Sequence, residues 1–184
     1  MTESPPASRP ARAADDVRWL TPEQQHGWRA FRDGNALLLD VLARELDDDT
    51  GLSLAEYEVL VRLSEAPERT LRMSELAGEL AHSRSRITHT IRRMEDAGLV
   101  VRTPCAADAR GVNCTMTDAG WQRIVDAAPA HVESVRTHLI DVLTDVQLKA
   151  LGDAMSIVAQ HLREPTTRGT DPSAPTTSTH GPTA

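Results

Sequence analysis

Apolar residues recur every three or four positions along most of this chain, and polar or proline-rich stretches separate the runs. The first run sets Trp28, Phe31, Leu38, Leu39, Leu42 and Leu46 on one side of a helix. Thr21-Pro22-Glu23-Gln24 precedes it, with threonine as cap, proline at the first helical position and glutamine placed to close a capping box. The pattern predicts a helix from Thr21 to about Leu46, ending before Asp47-Asp48-Asp49-Thr50-Gly51. Ser53-Leu54-Ala55-Glu56 is a second capping box. It opens a helix through Leu63 or Ser64 with Leu60 and Leu63 inward, and Ala66-Pro67-Glu68 stops it. Thr117 and Thr144 cap two more long helices near the C-terminus. One carries the stripe Val132, Val135, Leu139, Val142 and Leu143, the other Leu148, Leu151, Met155, Val158 and Leu162. Pro129 removes a backbone donor inside the first of these and predicts a kink.

The stretch from Ser74 to Thr117 follows a different pattern. A short helix over Glu75–Leu80 has Leu76, Ala77 and Leu80 as its apolar positions. Ala81-His82-Ser83 makes a turn, and Ser83 is placed to cap a helix from Arg84 to Ala97. Ile87, Ile91 and Met94 bury one side of that helix. Arg84, Ser85, Arg86, Thr88, His89, Arg92 and Arg93 occupy the rest, with no carboxylate before Glu95. Gly98 stands where a left-handed cap ends a helix. Leu99–Arg102 and Val112–Met116 then read as strands, and Leu71-Arg72-Met73 as a short third. Between the first two, Thr103–Gly111 is a loop with Arg110 near its tip and Asp108 placed to hold the guanidinium. A hairpin folded about Ala107-Asp108 would set Cys114 opposite Val101 rather than Cys105, against a disulfide between the two cysteines.

A helix with four arginines and several hydroxyls on its polar side suits the major groove of double-stranded DNA. Arginine binds guanine bidentately there, and the phosphates attract every cation. Ser85, Arg86, Thr88 and His89, near the end that enters first, are the candidate base readers, with Arg84, Arg92 and Arg93 as phosphate holders and Ser83 as a further candidate DNA contact. An Arg110 oriented by Asp108 suits a narrow minor groove, where the negative potential is enhanced.

The run SRSRITHTIRRMEDAGLVVR, followed by DARG and TMTDAG, resembles the winged helix-turn-helix of MarR-family transcriptional regulators, over roughly Trp28 to Arg163. Asp108 and Arg110 match the family's D-x-R wing motif, and Thr117 to Gly120 match the T-x-x-G that follows it. The resemblance implies a mainly α fold with a small β wing. The winged lobe would span residues 53–117 and the dimerisation helices 21–47 and 118–163, within one domain over 19–163. Tails 1–18 and 164–184, rich in Pro, Ser, Thr and Ala, are expected to be disordered. Also implied is a homodimer with interleaved terminal helices, although periodicity alone fits an intramolecular bundle equally well. Such a dimer would repress from a palindromic operator and sometimes be released by a small phenolic molecule. Activation is the alternative outcome for the same module. The family's ligand cleft, between the dimerisation helices and the DNA-binding lobe, makes Trp28 and Tyr57 candidate ligand contacts and Arg32 a candidate partner for a carboxylate.

Composition changes this picture little. The 184 residues carry a net charge of −7, which at first argues against a nucleic-acid partner. The acidic residues gather elsewhere, in Asp47-Asp48-Asp49 and the flanking helices, and distant exposed charges are screened within about 10 Å at moderate salt. No run is apolar enough to span a bilayer, no export signal is legible, and two cysteines fit a reducing cytoplasm. His131 and His138 are too far apart to chelate one ion unaided. No H-E-x-x-H, C-x-x-C or glycine-rich phosphate loop occurs, so neither an enzyme, a cofactor nor a metal is implied. Two alternatives stay open: a redox-responsive regulator acting through Cys105, whose thiolate Arg102 and Arg110 would favour, and an architectural DNA-binding protein without operator specificity. Cys114, on the apolar face of its strand, reads as a small buried hydrophobe.

Overall fold

The computed structural model describes residues 17–80, 84–105 and 108–164. The two tails lie outside these residues, apart from Val17, Arg18 and Glu164, and so does Ser83. The side chains of Arg84, Asp108 and Arg110 are not among those described.

Local capping decides where the helices begin. Thr21 accepts from the Gln24 N–H at 3.3 Å and its own N–H donates to Gln24 Oε1 at 2.9 Å, opening α1 (Pro22–Thr50). That helix runs through Asp47-Asp48-Asp49, which were expected to lie beyond its end. Three carboxylates oppose the helix dipole there. All three are exposed, however, and the Arg123 guanidinium donates to the Thr50 carbonyl, supplying the cation that the last turn lacks. Gly51, at φ 67°, closes the helix with its N–H on the Asp47 carbonyl at 2.7 Å. The second capping box opens α2 (Leu54–Glu65), where the Ser53 N–H donates to Glu56 Oε2 at 3.0 Å.

A 3₁₀ turn over Pro67–Arg69 leads into β1 (Thr70–Arg72), one residue ahead of the expected strand. Met73 instead begins α3 (Met73–Glu79), because the Arg72 N–H donates to Glu75 Oε2 at 3.0 Å and starts the helix earlier than predicted. Helix α4 (Arg84–Asp96) has Ile87, Thr90, Ile91 and Met94 buried, and Gly98 at φ 72° ends it. Strands β2 (Val100–Cys105) and β3 (Asp108–Met116) form the wing, and the antiparallel sheet has the order β1-β3-β2.

Both wing strands are longer than predicted, and the register corrects one expectation. Cys114 pairs with Arg102, and Val101 pairs with Thr115. The pairing shifts between Pro104 and Cys105, where proline cannot donate to the ladder. Cys105 then lies opposite Asp108, so both cysteines are free as expected, but by a different register. Arg110 falls within β3 rather than near a loop tip.

Thr117 caps α5 (Asp118–Val135) and its hydroxyl reaches back 2.8 Å to the Gly98 carbonyl and 3.1 Å to that of Leu99. A Cβ on Gly120 would lie 2.2 Å from the Leu99 carbonyl oxygen and 2.8 Å from Met116 Cγ. The T-x-x-G motif is therefore a seam. Its threonine ties α5 to the turn after α4, and its glycine lets the helix touch backbone. Helix α5 continues past Pro129 to Val135, and helical geometry changes only in a π turn over Arg136–Ile140.

The chain divides into two compact units at Leu139 and Ile140. In the first, Leu60, Leu63, Leu76, Ile87, Ile91, Met94 and Cys114 centre one apolar core, while α1 packs along α5. The second unit carries α6 (Asp145–Arg163), opened by the Thr144–Gln147 capping box and without a buried residue. Among the described residues no helix is long and apolar enough to cross a membrane.

Candidate nucleic-acid interface

With Ile87, Ile91 and Met94 inside, the rest of α4 follows from about 100° of rotation per residue. Ser85, His89 and Arg92 point directly away from the core. Arg86 and Arg93 share one flank, two turns apart, and Thr88 lies on the other; all six side chains are exposed. Arg86 and Thr88 also make contacts within the protein. Of the ten residues predicted to meet DNA, these six are thus brought to one helix. Ser83 and the side chains of Arg84, Asp108 and Arg110 lie outside the described set, so the Asp108–Arg110 contact does too.

Two ion pairs fix this helix. Arg93 Nη2 lies 3.0 Å from Glu56 Oε1, joining α4 to the first turn of α2. The expected phosphate role for Arg93 therefore meets a competing partner in the fold itself. In the same last turn of α4, Glu95 receives Arg102 three ways. The Arg102 N–H donates to Oε1 at 3.1 Å, while Nε and Nη2 donate to Oε2 at 2.9 and 2.5 Å. Those side-chain and backbone hydrogen bonds hold Glu95 below the usual carboxylate range, and Glu95 raises Arg102 in turn. Sequence reading missed both carboxylates. Glu95 and Arg102 flank the Gly98 turn with opposite charges, which was the available signal. Glu56 looked only like a capping residue, and nothing local pointed it at Arg93.

Cys114 is buried in the core as expected, and Cys105 has a neighbour that the sequence did not point to. Cys105 Sγ lies 3.4 Å from Arg72 Nη2, a cationic neighbour supplied by β1, while the Arg110 side chain lies outside the described set. Burial pushes the Cys114 thiol up to about 12, so it stays protonated.

The three candidate ligand residues are not brought together. Trp28 is 53% exposed, its ring 6.1 Å from that of Phe31. Arg32 is exposed and paired with the adjacent Asp33 at 2.7 Å. Tyr57 alone is buried, its ring 4.4 Å from that of His131. These two rings, with Leu39, Leu42, Leu54 and Val61, line a cavity of about 350 Å³. Burial lowers the His131 pKa, and its Nδ1 is buried without a hydrogen-bond partner among the described residues. Periodicity placed neither the cavity nor His131. The other histidine of α5's continuation, His138, is spoken for: its Nε2 lies 2.8 Å from Glu45 Oε1, while Ser134 donates to Oε2 of the same carboxylate.

A protein-family model described as MarR family matches residues 50–111, from the C-terminus of α1 into β3. The chain is also similar to Sco3205 of Streptomyces coelicolor, a MarR family transcriptional regulator solved in complex with DNA. The two are 43% identical, with 83% of this chain and 94% of that one covered at a TM-score of 0.77. This chain belongs to the MarR family. A second MarR-family regulator of Streptomyces coelicolor, AbsC, is 42% identical over 81% of this chain and all of that one, at a TM-score of 0.74. PecS of Dickeya dadantii, an HTH-type transcriptional regulator, is 28% identical over 129 residues, 69% of this chain and 76% of that one. Membership of the MarR family makes the protein a transcriptional regulator, and its mainly helical chain with a small three-stranded antiparallel sheet matches the family's winged helix fold.

Proposed function

We propose that this MarR-family regulator is a homodimeric repressor of a palindromic operator in double-stranded DNA, working in the cytoplasm. The observation that carries this reading is the exposed face of α4, free of carboxylates from Ser85 to Arg93 and seated on a closed apolar core. Ser85, Arg86, Thr88 and His89 would read base edges, with Arg84 and Arg92 on phosphates and Asp108-Arg110 in the minor groove. The likeness to Sco3205 in complex with DNA supports the partner class. Dimerisation is supported by two unburied apolar stripes in the single chain: Trp28 and Phe31 on α1, and Leu151, Met155, Val158 and Leu162 on α6. A two-fold protein matches a palindrome by symmetry.

The same regulator would be released by a small phenolic ligand in the cavity beside Tyr57. A ring can stack there, and a phenol hydroxyl can donate to the unpartnered His131 Nδ1. The test begins with selection of bound sites from random duplex DNA, followed by sedimentation of the complex with excess competitor. A palindrome holding two chains, retained against competitor and released by substituted phenols, is the expected result. Binding without sequence preference would instead identify an architectural protein.

A further inference from the structure

We infer that Arg93 is a positioning residue, which sets the seat of α4 on α2 through Glu56 instead of holding a DNA phosphate. This rests on the DNA-binding reading above, and it narrows which arginines of α4 touch DNA. Glu56 is 7% exposed, and all of its bonds are internal. Oε2 accepts from the Ser53 N–H at 3.0 Å and from the Ser53 hydroxyl at 2.6 Å, leaving Oε1 to Arg93 at 3.0 Å. Were Arg93 to swing onto a phosphate, a buried carboxylate would lose its cation, which is the costly way to break such a pair. Arg92, its neighbour, points directly away from the core and has no such claim on it among the described residues. The pair also lies on the flank that carries Arg86 two turns earlier, so the angle it imposes on α4 is passed to the arginine proposed above as a base reader.

Glu56→Gln isolates this link. Glutamine serves at the third position of a capping box as well as glutamate does, so the start of α2 keeps its cap while the ion pair is lost. The two readings differ in sign. A phosphate-binding Arg93 would be set loose by Glu56→Gln, and with one negative charge fewer near DNA the affinity would rise or hold. A positioning Arg93 makes the same substitution weaken binding.

The experiment uses the full-length chain, with the duplex it enriches from random-sequence DNA as probe, at several salt concentrations. Thermal unfolding checks each variant. Glu56→Gln and Arg93→Ala should each weaken binding by about 3- to 30-fold, and the double variant should lose little more. The slope of log affinity against log salt should stay at the wild-type value in both. Loss of one phosphate contact makes that slope shallower by about 0.9. Such a change in Arg93→Ala overturns the inference whatever Glu56→Gln does. Unchanged or tighter binding by Glu56→Gln overturns it too, and this arm stands alone where Arg93→Ala fails to fold. Enrichment of no duplex by the wild-type chain would overturn the DNA-binding reading itself, and this inference with it.

Discussion

Arg102 holds Glu95 with its backbone N–H at 3.1 Å and its guanidinium Nε at 2.9 Å, which ties the last turn of α4 to the first wing strand. The contact joins the two parts of the molecule that would meet DNA in different grooves. It spans only the Gly98 turn, and the polar groups of Glu95 are engaged from both main chain and side chain.

A pH dependence follows from this pair. Glu95 is held below its ordinary range in the folded chain, so the unfolded chain binds the extra proton first. The stabilisation is present above the unfolded glutamate pKa and is lost as pH falls through the depressed folded value. Wild-type protein should therefore exceed Glu95→Gln in Tm at neutral pH, with the gap closing below about pH 4. A gap that widens on acidification would mean that the pair does not stabilise the fold.

His131 adds a second, separate dependence near neutrality. Burial lowers its pKa, so the neutral ring belongs to the folded state and stability should decline as pH falls through the ordinary histidine range. Substitution of His131 by Gln should flatten Tm over that range. An unchanged slope would point to another histidine.

Gly120→Ala should destabilise the protein by about 1–3 kcal/mol, because the added methyl meets a fixed backbone carbonyl and the Met116 side chain. Denaturant unfolding at constant m-value measures it. Gly78→Ala, at a helical position where a Cβ meets nothing within 4 Å, is the control and should cost nothing. Equal effects at the two positions would remove the seam between α5 and the wing from the account.

What the sequence made legible were features settled within a few residues. Thr21, Ser53, Thr117 and Thr144 each cap a helix where expected, and Gly98 takes its left-handed turn. Features settled at long range were not legible. Asp47-Asp48-Asp49 looked like a helix terminator because Arg123, which steadies that turn, arrives from α5. Pro104 hid the hairpin register, since a bulge shifts the pairing by an amount that the alternation of side chains does not encode. The Arg93–Glu56 pair was hidden for a related reason. An exposed arginine on a helix looks the same whether it awaits a phosphate or already holds a carboxylate.

Assembly gives a further prediction. Removing α6 from Thr144 onward should abolish dimerisation and, with it, tight operator binding, whereas removing residues 165–184 should change neither. Sedimentation equilibrium and gel shift on the two truncations decide this. A monomer that keeps operator affinity would show that one chain suffices.

In the proposed complex α4 reads sequence through the flank that carries Arg86, while its outermost arginine, Arg92, holds the DNA backbone. Arg86→Ala and Arg92→Ala test it directly, through affinity for the enriched duplex and for a scrambled one at two salt concentrations. Arg86→Ala should lose about 1–3 kcal/mol on the enriched duplex alone and relax preference at one base position. Arg92→Ala should weaken both duplexes alike and make the salt slope shallower by about 0.9. Equal losses on both duplexes for Arg86→Ala would contradict the claim.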